Sequence, residues 1–243
     1  LFAPAGVHYD GPGATPLLIL PDHPAENETM ATATTWQPWE KNGYPTSDGR
    51  PMAETDCHRE LMAALIQILK AFFADAPRAY VSGNLLIFYE PGNKRRHISP
   101  DVFVVRGVPK HDRPNYLVWE EGKGPEIVIE LTSSTTRRED LDKKFKLYRD
   151  TLRVKEYFLF DPLGDYLDPP LLGFRLRAGR YHAIRQLDGR LPSRVLGLHL
   201  ERHGRDLRLY DPAKGEWLPT AREEIDHLRQ ELRRLRRLRP EQS

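Results

Sequence analysis

The sequence predicts an α/β (α+β) domain, one mixed β-sheet flanked by helices, followed by a basic C-terminal helix. Three observations predict it. An apolar stripe at helical spacing, Leu61, Leu65, Leu69 and Phe72, opens the ordered part of the chain. Short β-branched and aromatic runs then recur between Gly, Pro and Asn turns, as buried strands do. A second helical stretch interrupts those runs, which suits a mixed sheet covered by helices.

Residues 1–50 are rich in Pro, Gly, Thr and Asn and carry no sustained periodicity, so a loose tail is expected there. Met30 lies inside it as a candidate start, and Trp36 and Trp39 are expected to pin its end onto the domain. From about Thr55 to Ala74 the apolar stripe marks an amphipathic helix, N-capped by Thr55 or Asp56 and closed by Pro77. A strand is expected over Val81–Tyr89, then a Pro91-Gly92-Asn93 turn and a strand over Ile98–Val105. Residues 106–124 form a polar connection, with Tyr116, Leu117, Val118 and Trp119 packing on the core. Strand Glu126–Thr132, a helix from about Arg138 to Leu152, and strand Glu156–Phe160 follow. A hairpin pairs Gly173–Arg177 with Tyr181–Arg185 around Gly179, and Leu207–Tyr210 is expected as a short terminal strand. The domain is thus expected to span 51–212.

The tail, 213–243, is a different object. Ile225, Leu228, Leu232 and Leu235 follow the alternating three-four spacing of a coiled-coil seam, with Arg239 at the next seam position. Arg229, Arg233, Arg234, Arg236 and Arg237 make this helix basic. The favoured reading is a solvated helix that docks on the domain or forms a homo-oligomer by pairing weakly with its own copy. The sharper one is a phosphate-contacting arm.

Charge is nearly balanced, 37 Lys and Arg against 35 Asp and Glu, so any nucleic-acid contact must come from local basic patches. Cys57 is the one cysteine, which excludes an intramolecular disulfide and a thiolate zinc cluster within these residues. No apolar run approaches a bilayer span, the first residues lack a basic n-region, and Leu17–Leu20 is too short for a signal core. A soluble, cytoplasmic protein with no membrane partner is the expectation.

Two strands carry a carboxylate where an apolar side chain would be expected, Asp101 in Ser99-Pro100-Asp101-Val102-Phe103 and Glu130 in Val128-Ile129-Glu130-Leu131. Buried carboxylates must be paired or bind a metal. The following helix offers Lys143, Lys144 and Lys146. With Leu141, Phe145, Tyr148 and Leu152 taken as the packing face, Lys144 lies about 70° from the stripe's centre and alone can turn toward the sheet. Two carboxylates and an ammonium would suit metal-assisted phosphodiester hydrolysis, since Mg²⁺ takes hard oxygen ligands and keeps waters for phosphate to displace. On the residues alone a second reading stays open: Asp101 turns the strand after Pro100, and Glu130 forms a structural salt bridge with Lys144. Walker-type, Gly-x-Gly-x-x-Gly, His-Glu-x-x-His and Gly-x-Ser-x-Gly motifs are all missing. A glycosidase would leave Lys144 and the basic turn Lys94-Arg95-Arg96 unexplained.

Pro100-Asp101, a mid-strand Glu130 and a Lys-bearing helix together resemble the PD-(D/E)XK nuclease superfamily. The longer runs Ser99–Val105, Val128–Ser133, Arg137–Asp140, Lys144 with Tyr148, and Val154–Pro162 are similar to the Uma family of restriction endonucleases, over about Glu54 to Pro162. The resemblance implies a restriction-endonuclease-like fold and an endonuclease acting on DNA with Mg²⁺ (or Mn²⁺). Asp101 and Glu130 match the metal-binding acids, and Lys144 matches the helix lysine. Thr132 stands two residues after Glu130, where the superfamily's E-x-K motif has lysine, so here the lysine has moved to the helix. Further candidates are Glu60 or Glu54 as an added ligand, His58 at a position where the family often has histidine, Glu90 ending the preceding strand, and Tyr148 near Lys144. Lys94, Arg95 and Arg96 form a candidate phosphate-tracking loop. The alternative function is a non-catalytic nucleic-acid-binding or regulatory protein on a nuclease scaffold.

Overall fold

Six strands form the central sheet of this computed structural model, and their order in the sheet is their order in the chain: β1 (Ala79–Ser82), β2 (Val102–Arg106), β3 (Ile127–Leu131), β4 (Glu156–Phe160), β5 (Leu171–Arg177) and β6 (Arg180–Ala183). The structure describes residues 40–41, 43–47, 55–133 and 136–238. Every neighbouring pair is antiparallel except β3 and β4, which run parallel. A parallel step cannot be closed by a hairpin and needs a crossover. That crossover is the site helix, wound as the π-helical segments Glu139–Lys144 and Leu147–Thr151.

Both faces of the sheet are covered, which explains the almost continuous apolar runs of its strands. Strand β3 reads Ile-Val-Ile-Glu-Leu and is buried throughout. Its Ile127, Ile129 and Leu131 pack in one core with Leu61, Leu65 and Leu69 of the first helix, Asp56–Phe72. Val128 belongs to the opposite core, with Tyr148, Leu152 and Tyr157. Side chains alternate along a strand, so Glu130 falls on the same face as Val128, under the site helix. The first core continues into a four-stranded antiparallel sheet, β7 (Leu191–Pro192), β8 (His199–His203), β9 (Asp206–Asp211) and β10 (Glu216–Trp217), through Leu200, Leu207 and Leu209.

The expected fold class is the one observed, a mixed α+β arrangement with few helices and a helix at its C-terminal end, but the sheet content is richer than expected. Among the described residues there are four sheets rather than one. The run expected as one strand over Val81–Tyr89 divides: β1 stops at Ser82, and Ile87–Phe88 pairs instead with His97–Ile98 and Tyr116–Leu117 in a small three-stranded sheet. The break is Gly83-Asn84. A Cβ on Gly83 would lie 2.0 Å from the Asp101 carbonyl oxygen, and Asn84 adopts φ 47° while donating its N–H to the Pro100 carbonyl at 2.8 Å. The strand expected from Ile98 to Val105 divides on the same crossing, at Ser99-Pro100-Asp101. Leu207–Tyr210 is not terminal; it lies in β9, between β8 and β10. Strand β8 went unseen because Leu200 is its one apolar side chain and Arg202 takes the next position on the same face, so no alternation repeats. Glu54, Trp36 and Trp39 lie outside the described residues.

The C-terminal helix, Ala221–Leu238, falls where the heptad spacing placed it. Thr220 and Glu223 cap it reciprocally: the Glu223 N–H donates to Thr220 Oγ1 at 3.2 Å and the Thr220 N–H to Glu223 Oε2 at 2.8 Å. No helix among the described residues is long and apolar enough to cross a membrane.

Candidate active site

The register of β2 on β3 pairs Val102 with Ile129, so one step further Asp101 stands beside Glu130. Hydrogen bonds lock the two together. The Leu131 N–H donates to Asp101 Oδ2 at 2.7 Å, and the Asp101 N–H donates to Glu130 Oε2 at 3.3 Å. The site helix covers this pair. Lys144 Nζ lies 3.0 Å from Glu130 Oε2 and 3.0 Å from Asp140 Oδ1, and the Tyr148 hydroxyl donates to Glu130 Oε1 at 2.6 Å. From the other side of the sheet His58 Nε2 reaches Asp101 Oδ1 at 3.3 Å.

The winding of the helix explains which residues arrive. Expected packing residue Leu141 is 37% exposed, whereas Asp140 is buried. Hydrogen bonding to the fifth residue widens each turn beyond the α-helical value. The buried face therefore takes in Asp140, Lys144 and Tyr148, every fourth residue, while Phe145 and Leu152 still pack on the core and Leu141 alone of the expected stripe turns outward. Lys143 and Lys146 are exposed, and Lys146 pairs outward with Asp142 at 2.6 Å.

Electrostatically the site is overloaded with carboxylates. Glu130 is wholly buried, and burial, with Asp101 and Asp140 adding repulsion, pushes its pKa up to about 8 against the pull of Lys144 and Tyr148. Burial raises Asp140 too, against Lys144. Burial also opposes ionisation of Asp101, but the His58 hydrogen bond and the charge of Lys144 outweigh it and hold that carboxyl below its ordinary value. Burial disfavours the Lys144 ammonium, yet Glu130, Asp140 and Asp101 together hold it charged, its pKa raised. Burial first and Glu130 second lift Tyr148 well above the usual phenol range, so it stays a donor.

The structure thus brings Asp101, Glu130, Lys144, Tyr148 and His58 together. Asp140 is the member the sequence reading missed; its i,i+4 spacing to Lys144 was the available signal. Glu60 is exposed on the first helix. Glu90 stays in its own turn, accepting from Asn93 at 3.0 Å and Arg96 at 3.1 Å, because its strand joined the small sheet. Lys94, Arg95 and Arg96 are exposed on that turn.

As a donor set, Asp101 and Glu130 offer the hard carboxylate oxygens that Mg²⁺ or Mn²⁺ prefers. Among the described residues no group of three or more His, Cys, Asp or Glu side chains is arranged to hold an ion. Two carboxylates would leave the remaining positions of such a cation to water.

The family model Uma2, described as "Putative restriction endonuclease", matches residues 39–220, which include this whole constellation. The chain belongs to the Uma2 family. Among solved structures, a crystal structure described as that of a putative nuclease belonging to DUF820, from Anabaena variabilis, is similar at 17% identity and a TM-score of 0.45, over 63% of this chain and 80% of that one. No curated protein matches the sequence. Membership of Uma2 assigns the coarse class, a nuclease acting on nucleic acid.

Proposed function

We propose that this Uma2 protein is a divalent-metal-dependent endonuclease that hydrolyses phosphodiester bonds in DNA. The observation that carries the reading is the meeting of Asp101, Glu130 and Lys144 at one end of β2 and β3, with Lys144 Nζ 3.0 Å from Glu130 Oε2.

Asp101 and Glu130 are the residues that would hold Mg²⁺ or Mn²⁺. When bound, such an ion polarises a phosphoryl oxygen and lowers the pKa of a coordinated water. The chain's own groups do the rest. Lys144 holds a proton firmly and presents a fixed positive charge where a scissile phosphate would accumulate negative charge. Asp140 steadies that ammonium from four residues back. Tyr148 fixes the Glu130 carboxylate from one side, and His58 and the Leu131 N–H orient Asp101 from two others. Lys94, Arg95 and Arg96, exposed beyond the site, suit phosphate contacts that position DNA without reading its bases.

Supercoiled plasmid and single-stranded DNA, incubated with Mg²⁺, Mn²⁺ or EDTA, test the reading. Wild-type protein is expected to cut with metal and not with EDTA, and folded Asp101→Ala and Lys144→Ala variants to lose that cutting. A wild-type protein that retains DNA without cutting it under any metal would instead be a binding protein on a nuclease scaffold.

A further inference from the structure

The C-terminal helix leaves its apolar seam uncovered: Ile225, Leu228, Leu232 and Leu235 are 49%, 59%, 49% and 55% exposed. They fall on one ridge at coiled-coil spacing, not scattered singly, and a continuous apolar ridge on a charged helix needs a partner. The residues beside the seam say which partner. With Ile225 as the first seam position, Glu224 and Glu231 flank the ridge on one side, and Arg229 and Arg236 flank it on the other.

We infer that the helix pairs with the same helix of a second copy of this chain, parallel and in register. In that arrangement Glu224 of each copy faces Arg229 of the other, and Glu231 faces Arg236, so twofold symmetry gives every flanking charge an opposite. An antiparallel pair would set arginine against arginine and glutamate against glutamate. The present contacts of these residues do not compete strongly. Arg229 reaches Asp226 at 3.4 Å and Arg234 reaches Glu231 at 3.6 Å, both at exposed i,i+3 positions where ion pairs are weak. The root of the helix is fixed, since Arg208 on β9 holds Glu223 at 2.8 Å and 3.0 Å. A parallel pair therefore places both domains at the same end of the helices. A seam of about two heptads is short, so the association is reversible and set by protein concentration.

Pairing does not depend on the nuclease reading, and the mass and crosslinking measurements use no DNA. Sedimentation equilibrium of the full chain, from low micromolar to near-millimolar concentration, is expected to follow a monomer–dimer equilibrium. Leu228→Ser with Leu232→Ser should raise the dissociation constant about tenfold or more while leaving the domain folded, because both positions are exposed. Glu224→Arg/Glu231→Arg should be monomeric alone, as should Arg229→Glu/Arg236→Glu, and an equimolar mixture of the two should dimerise. Orientation is read by oxidising Ala221→Cys in a Cys57→Ser background: residue 221 is itself a seam position, and parallel helices crosslink there. A monomer at every concentration overturns the inference, as does a dimer indifferent to the charge reversals or one that fails to crosslink. A monomer that binds duplex DNA only with Arg233 and Arg234 present would replace it with the phosphate-contacting arm.

Discussion

Glu130 on β3 and Glu156 on β4 are two fully buried glutamates on adjacent strands, and their surroundings are opposites. Glu156 is surrounded by donors: Arg175 Nε at 2.7 Å, Ser193 Oγ at 2.5 Å, and the N–H groups of Arg194 and Val195 at 3.0 and 3.2 Å. Those bonds tie the central sheet to the loop that follows β7. Glu130 sits beside Asp101 and shares one ammonium, Lys144, with Asp140. Both glutamates are equally out of water, so burial does not separate them. What separates them is the like charge of Asp101 and Asp140 beside Glu130, where Glu156 meets only donors.

Activity should break the pair apart most sharply. Glu130→Gln is expected to lower metal-dependent plasmid cutting by about a hundredfold or more. Glu156→Gln should keep most of the rate per folded molecule. Equal losses in the two variants would erase the distinction. Stability should run the other way. Glu156→Ala removes the shared acceptor of Arg175 Nε, Ser193 Oγ and the Arg194 and Val195 N–H groups and is expected to cost about 3–5 kcal/mol in urea denaturation. Glu130→Gln should cost far less, and a larger loss there than at Glu156 would mean that Glu130 is the structural member.

The pH dependence sharpens the same point. The Glu130 pKa rises from 4.5 to about 8 on folding. Between those values the folded protein binds more protons at this site than the unfolded chain, so metal-free stability should fall as pH climbs through the interval. Glu130→Gln should flatten that part of a denaturation–pH series. Asp101, whose pKa is lowered on folding, acts at the acid end: its contribution is present above its unfolded value and disappears as pH falls. The smallest expected effect is at Tyr148→Phe. Removing the hydroxyl that donates to Glu130 should cost about 1–2 kcal/mol and reduce cutting about tenfold or less.

Much of this was legible in the residues. The first and C-terminal helices follow from apolar residues at helical spacing, β4 from a short apolar run, and the facing of Lys144 from its angle to the helix stripe. Asp101 and Glu130 stood out because charge interrupts apolar runs. Glu156 lies at the head of just such a run, yet its role depends on Arg175 and the Ser193–Val195 loop, about 20 to 40 positions away, and no local pattern encodes that meeting. Asp140 and Leu141 exchanged places for a related reason, since π-helical winding shifts the buried face by one residue while the expectation assumed α-helical turns. The division of the Val81–Tyr89 run hinged on Gly83, whose missing side chain matters because the Asp101 carbonyl and the Ile66 side chain close over it.

Strand order in the central sheet repeats chain order, so each new strand docks on the one completed just before it. A sheet assembled this way can grow from a single edge, its longest connection being the site helix between β3 and β4. His58, Asp101, Glu130, Asp140, Lys144 and Tyr148 all precede β4. All of them also precede in the chain the second sheet, whose leucines fill the core on the far face of β3. The second sheet supports the cluster from a distance, its leucines packing against the face of β3 opposite Glu130.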